Sequence, residues 1–591
     1  MDSLSKIFAK SLNYHKQYGI LALFKAMKDV GQAIINQQRK YYKKHVFIAK
    51  EIIKKQQTYR FSYEPKISII TPTYNTPITF LEDMVESVLN QTYNNWELCI
   101  ADASVENEPI RRKLNEWVNN DSRIKVKFLS KNYGISGNSN EALALATGEF
   151  VGLLDHDDTL APIAVFEMVK AINQYDDVDF LYSDRDKTNE TGSKYKGHHF
   201  KPDWAPDMMR SYNYVCHFTV FRRSLLQETG LFNPEYDGSQ DYDLFLRLTE
   251  KSRRIVHVTK ILYHWRMHEN STARSIHNKM YAIDAAKNAL ADHLKRSGLE
   301  GSVENGFGLA IYNIRYKLKS SPKVSIIIPN KDQYQTLRTC IESILTKTTY
   351  TNYEIIIVEN NTSEKDVLEY YKMLEKDNRI KILYWTGGKE FNYSALNNFA
   401  VQHAYGKHIV FLNNDTVVIT PHWLERMLEF SQREDVGCVG VALYYPNNTY
   451  QHAGVIIGID GCAAHAFHKM SNKKCGYFLR AKIVQNLSAV TGACMMLKKK
   501  DFLQVEGFDE TLAVTYNDID LCMKIRNTGK LIVYVPDAEL HHMCKNGGLV
   551  GDTAEKKARF EKELSYFRSK WGKIKDPYFN ENLKNIYYVI K

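Results

Sequence analysis

The sequence predicts an α/β protein made of two tandem Rossmann-like domains with mostly parallel sheets, preceded by an N-terminal helical segment. Three observations predict it: a long internal repeat, Ile/Val-rich runs alternating with amphipathic stretches in each copy, and a positive charge concentrated in the leader. The repeat divides the chain. PKISIITPTYN (65 to 75) recurs as PKVSIIIPNKD (322 to 332), 257 residues further on. Four more echoes keep the same order. YNNWELCIADAS (93 to 104) is answered by YTNYEIIIVENNT (350 to 362), and ATGEFVGLLDHDD (146 to 158) by AYGKHIVFLNNDT (404 to 416). GSQDYDLFLRL (238 to 248) is answered by TYNDIDLCMKI (515 to 525), and LYHWR (262 to 266) by ELHHM (539 to 543). A period this long marks duplicated domains and excludes a solenoid, whose units run to a few tens of residues.

Within the copies, the runs 67 to 71, 97 to 101 and 150 to 154, then 324 to 328, 354 to 358 and 408 to 412, are short and mostly apolar, rich in Ile and Val. Strands buried on both faces of a parallel sheet read this way, and the amphipathic stretches between them, such as 80 to 90 and 335 to 346, supply the crossover helices. Residues 278 to 298 read as one helix leading out of the first copy, which puts the boundary near 320. The expected division is a leader over 1–62, a first domain over 63–320 and a second over 321–591.

Residues 1 to 60 hold thirteen Lys and Arg against three acids, so the leader carries +10 of the formal +11 and leaves +1 for the rest. The charge is interleaved with Ile7, Phe8, Leu12, Leu21 and Phe24. That pattern suits amphipathic helices on anionic lipid, where each basic residue adds about 1 kcal/mol, and equally a solvated helical face packed on the first domain. No RNA-binding motif accompanies the charge, so no nucleic-acid partner is expected. No run reaches the eighteen apolar residues of a membrane span, and the start lacks a signal peptide's apolar core. The expectation is a cytoplasmic protein, peripheral on the inner face of the membrane. Nine cysteines without a CxxC pair argue against a zinc ribbon, a redox motif and a disulfide framework.

Open parallel sheets bind ligands outside the carboxyl ends of their strands. VGLLDHDD places Asp155 and Asp157 just past an apolar strand, and extended alternation directs both to one side. Two carboxylates there suit Mg2+ or Mn2+ with substrate phosphates completing the shell. A lone D-x-D is a weak signal; the strand context raises it. His264 follows another apolar run and either joins that ion or is a buried histidine bonded to backbone. His268 lies four residues on, but a zinc pair at that spacing needs a helix and this run reads as a strand. Asp241 and Asp243 enter an amphipathic helix, where an aspartate either complements the positive helix N-terminus or acts as a general base on an acceptor hydroxyl.

At these motifs the chain resembles bacterial family 2 glycosyltransferases of the inverting GT-A type, in particular tandem-domain enzymes of O-antigen, capsule and rhamnose-rich polysaccharide synthesis. The likeness covers about 60 to 580, and GISGNSNEALALATGEF, FKPDW, FNYSALNN, QHAGVIIG, AVTGACMML and GFDE carry it along with the repeated motifs. It implies that Asp102 is the acidic nucleotide-binding residue, Asp155 and Asp157 the metal-diphosphate motif, His264 a further metal contact and Asp241 the catalytic base. In the second copy it implies Glu359 and Asn360 at the nucleotide, Asp415 and His541 at the metal, and Asp518 as base. The second copy departs from the pattern at Asn413-Asn414-Asp415, which keeps only the last carboxylate. The implied reaction takes a nucleotide sugar such as dTDP-rhamnose, UDP-hexose or UDP-N-acetylhexosamine, with Mn2+ or Mg2+, to a lipid-diphosphate-linked oligosaccharide at two active sites. A single site with an acceptor-binding second domain, and a non-catalytic glycan-binding scaffold, are the alternatives. The absence of a glycine-rich phosphate loop argues against a nucleotidyltransferase.

Overall fold

The computed structural model describes residues 48–268, 280–388, 390–459, 462–544 and 553–583. The lipid-binding expectation for the leader falls mainly on residues outside these. The part of the leader that is described, the helix Lys50–Thr58, packs on the first unit: buried Gln56 donates to Glu167 (3.0 Å) and accepts from the Thr92 hydroxyl (2.8 Å).

Nine strands of the first unit form one sheet: β1 (Ile67–Thr73), β2 (Trp96–Asp102), β3 (Ile124–Phe128), β4 (Phe150–Leu153), β5 (Thr159–Leu160), β6 (Val178–Asn189), β7 (Tyr195–His199), β8 (Thr219–Arg222) and β9 (Arg254–Met267). Their order is β3-β2-β1-β4-β8-β6-β9-β5, with β7 paired to β6. β1 to β4 run parallel, β8 is antiparallel to both its neighbours, and β6 and β9 form a long parallel pair. Every residue of β1 and β2 is buried because helices cover both faces of the sheet. Ile67 and Ile69 pack with the helices Ile78–Leu89 and Ala164–Ile172, while Ile70 packs on the other side with Gln240–Lys251 and Met280–Arg296.

The second unit repeats this order, from Ile380–Tyr384 at one edge, through Val324–Asn330 and Leu531–His542, to Thr416–Val418 at the other, and adds a tenth strand, Gln485–Leu487, paired to Leu531–His542. The parallel and antiparallel pairings repeat as well. A shared topology is the physical content of the sequence repeat.

The two units share an interface that is polar and apolar in turn. Phe200 and Ile261 of the first lie in one hydrophobic cluster with Tyr444, Tyr450 and Tyr534 of the second. Asp207 is buried against the Arg433 guanidinium and accepts from Asn486 Nδ2 at 2.8 Å. The Tyr477 hydroxyl donates to the His198 carbonyl at 2.7 Å, and Asn580 donates to Asp184 at 2.9 Å. Among the described residues no helix is long and apolar enough to cross a membrane.

Candidate active sites at the strand ends of the two units

The carboxyl ends of β1, β2 and β4 converge, as the parallel order requires. Asp102 closes β2 opposite Thr73 and is fully buried. Its Oδ1 accepts from the Thr73 hydroxyl (2.9 Å) and the Ser104 N–H (3.3 Å). Its Oδ2 is buried without a hydrogen bond, with Arg111 Nε 3.7 Å away. An unsatisfied buried carboxylate oxygen is costly, and a ligand N–H or O–H is what relieves it.

After β4 the chain turns at His156 and Asp157 instead of continuing as a strand. Alternation therefore stops at the strand end, and Asp155 and Asp157 are not held on one side by it. Asp155 Oδ2 lies 3.5 Å from His217 Nε2, whereas Asp157 Oδ2 lies 2.7 Å from His268 Nε2. Asp158 is buried between the Tyr263 hydroxyl (2.6 Å) and the Arg266 N–H (2.7 Å). One ligand atom each from Asp155, Asp158 and His217 lie within 4.8 Å of one another. Two carboxylate oxygens and an imidazole nitrogen at that spacing fit a hard divalent ion such as Mn2+ or Mg2+.

Electrostatics tie this cluster together. Burial, with Asp157 and Asp155 adding to it, pushes the Asp158 carboxyl well above the usual carboxylate range. Burial also opposes charge on His217, but the adjacent Cys216 and Asp155 outweigh it and raise the imidazole to about 10, so a cation bound there would have to displace the imidazole proton. His217 stacks on Tyr263, with ring centroids 4.7 Å apart.

His264 sits inside β9, not beyond its end, and its Nδ1 meets Asp186 on β6 at 2.7 Å. The structure thus engages His264 with Asp186 and brings His217 and His268 to the acidic turn. Nothing in the segment YVCHFTV announces His217; only the antiparallel pairing of β8 with β4 carries it there. Asp158, by contrast, was visible in DHDD.

Asp241 and Asp243, both in the first turn of Gln240–Lys251, take different parts. Asp243 is buried in an ion pair with Arg247 at 2.6 Å. Asp241 accepts from Asn213 at 3.1 Å and feels the charges of His217 and Asp155. Burial raises its pKa above the ordinary carboxylate value against the pull of His217.

In the second unit Asn413, Asn414, Asp415, Asp518 and His542 line a cavity of about 1010 Å³. Asp415 Oδ1 is 3.1 Å from His542 Nε2, and Asp518 accepts from the Gly492 N–H at 2.9 Å. Burial raises the Asp518 pKa as it does that of Asp241. His542, not His541, is the residue at Asp415, because the strand register sets His542 opposite Thr416. Glu359 is satisfied by the chain itself, accepting from both Thr362 groups and from the Tyr371 hydroxyl at 3.0 Å. Asn360, beside it, keeps a buried Nδ2 without an acceptor. Among the described residues the second unit has no group comparable to Asp155, Asp158 and His217.

Known proteins share this double pattern. The profile of Glycosyl transferase family 2 matches residues 68–230 and again 325–505. An uncharacterized protein of Sinorhizobium fredii is 41% identical over 531 residues, covering 89% of this chain and 58% of its own length. The O-antigen biosynthesis protein RfbC of Myxococcus xanthus is 35% identical over 533 residues, covering 89% of this chain and 41% of its own length. The chain therefore spans about half the length of these two relatives. Among solved structures, S. aureus TarS 1-349 in complex with UDP overlaps 39% of this chain and 72% of its own, at 20% identity and a TM-score of 0.30. The chain belongs to Glycosyl transferase family 2, with one family region in each of its two α/β units.

Proposed function

We propose that the chain is an inverting glycosyltransferase that moves sugars from nucleotide-sugar donors to a lipid-diphosphate-linked bacterial surface polysaccharide, with one site in each unit. One observation carries the reading. Asp241 and Asp518 occupy the first turn of the helix that precedes the corresponding long strand in two sheets of identical order, and burial raises the pKa of both.

In the first site Asp241 accepts the proton of the acceptor hydroxyl as that oxygen bonds to the anomeric carbon. The anomeric C–O bond to the diphosphate breaks, its electron pair leaves with the nucleoside diphosphate, and the configuration inverts. Asp155, Asp158 and His217, with Asp157 alongside, would hold a divalent cation, and Mn2+ or Mg2+ bound there supplies neutralisation of the leaving diphosphate. The free Oδ2 of Asp102 suits the ring N–H of a uracil or thymine base, which supports UDP- or dTDP-linked donors. The O-antigen role named for the Myxococcus relative supports a polysaccharide product, as does a chondroitin synthase of Pasteurella multocida, 26% identical over 65% of this chain and 36% of its own length. The basic leader supports attachment to the cytoplasmic face of the membrane.

The amides Asn413 and Asn414, in place of further carboxylates, favour a second reading in which the second unit binds acceptor without transferring. The test is nucleoside-diphosphate release from a panel of UDP- and dTDP-sugars with membrane lipid extract and Mn2+ or Mg2+. Metal-dependent release is expected; binding of nucleotide sugars without any release makes the chain a scaffold.

A further inference from the structure

The second cavity is not a copy of the first site. Between the strand Tyr450–His452 and the strand Cys494–Lys498 the second unit has 41 residues, where 19 separate β7 from β8 in the first. The added segment forms a small hairpin, Val455–Ile457 with Ala463–His465. His465 from this hairpin, and Gln451 just before it, line the cavity that also holds Asp415 and Asp518.

The hydrogen bonds on this wall fix what it offers. Gln451 is 7% exposed, and its Oε1 is buried with no hydrogen-bond partner. His452 Nε2 faces the N–H groups of Gly454 (3.3 Å) and Thr491 (3.4 Å), which only an unprotonated nitrogen accepts. The His452 proton is therefore on Nδ1 and is donated to His465 Nδ1 at 3.0 Å. His465 in turn carries its proton on Nε2, a donor that nothing engages among the described residues. Burial and the neighbouring imidazoles keep both rings uncharged, lowering His465 to about 4. The wall thus sets a neutral acceptor beside a neutral donor, with Phe391 and Tyr516 on the same cavity as apolar faces. A phosphate supplies only acceptors and a negative charge, so it matches poorly. Sugar hydroxyls, each both donor and acceptor, match well.

We propose that this insertion makes the second cavity a subsite for an uncharged sugar ring, with Gln451 and His465 as its specificity-determining residues. The inference rests on the second unit being a glycosyl site, as proposed above. It also separates the two units by substrate, because the first has no insertion of this length at the matching place.

The test uses the full-length chain and two sets of probes: methyl glycosides of glucose, galactose, rhamnose and N-acetylglucosamine, and the nucleotides UDP and dTDP. Dissociation constants come from saturation-transfer NMR, and Tm from thermal melts. Gln451→Met and His465→Phe are each expected to weaken the best-bound glycoside about tenfold while the nucleotide constants stay within twofold. Gln451→Met is further expected to keep or raise Tm, because it removes a buried acceptor that has no partner. Glycoside affinity unchanged in Gln451→Met, or no glycoside bound by the unmodified chain, overturns the proposal. So does a fall in Tm that accompanies the lost affinity, since that marks a structural role. Tenfold glycoside loss in a chain that shows no Asp518-dependent turnover upholds the subsite and fails the two-site reading instead.

Discussion

Replacing Asp207 by alanine tests whether the two units are held by the buried ionic contact between them. Asp207 is 2% exposed, and it meets Arg433, Arg210 at 3.2 Å and Asn486 at 2.8 Å. Removing one partner of a buried pair costs about 3–5 kcal/mol because the other charge stays buried without compensation. Arg433 keeps Asp435 at 2.6 Å, so the loss should fall at the low end, about 3 kcal/mol. For a unit of roughly 250 residues each kcal/mol moves Tm by about 2–4 °C, giving a drop of roughly 6–12 °C in scanning calorimetry. A second variant isolates the pair: with Arg433→Met already present, Asp207→Ala should cost much less than in the unmodified chain. The pH dependence has a definite sign. Burial alone would raise the Asp207 pKa, but Arg433 and Arg210 outweigh it and hold it below the usual carboxylate value. The stabilisation is therefore complete above the unfolded pKa and is lost as pH falls through the lower folded value. The penalty should be full at pH 7 and shrink in acid. A shift of less than 1 °C at pH 7, or equal costs with and without Arg433, would mean that the ionic contact does not hold the units together.

Three further outcomes follow from the first site. His217→Ala should weaken Mn2+ binding by at least tenfold, read from the free-ion EPR signal, while His264→Ala leaves it within threefold, because His264 is engaged by Asp186. Turnover at the first site should fall as pH drops through the Asp241 pKa, which burial sets above the ordinary carboxylate value, since only the ionised form accepts a proton; Asp241→Asn should cost about 10²–10⁴ in kcat and flatten that limb of the profile. Lys201 is fully buried and donates to the carbonyls of Val215 and His217, the latter at 2.7 Å. Lys201→Met should therefore lower kcat for the first donor at least tenfold with little change in its KM, and leave Asp518-dependent release intact.

Strands β1, β2 and β4 and their counterparts were legible because they are mostly apolar, Ile/Val-rich runs, and the repeat predicted that the second sheet would follow the first. What lay beyond the strand ends was less legible. Period-two alternation holds only within an extended chain, and the chain turns at His156 and Asp157, so the relative placement of Asp155 and Asp157 was not in the pattern. The apolar run ending at Leu262 continues as strand to Met267, which turns His264 from a residue beyond a strand into one within it. His217 lies just before β8, distant in sequence from the acidic turn, and its arrival depends on the antiparallel pairing of that strand with β4, which no local signal encodes. The split between Asp241 and Asp243 likewise needed Arg247, one helical turn beyond Asp243, to show which carboxylate was already paired.

Whether each unit transfers a sugar is decided by donor-resolved nucleoside-diphosphate release from the full chain, from Asp241→Asn and from Asp518→Asn. Two donors are expected, one losing release only with Asp241→Asn and the other only with Asp518→Asn. Loss of all release with Asp241→Asn, and none with Asp518→Asn, would contradict the two-site account and leave the second unit as a binding module.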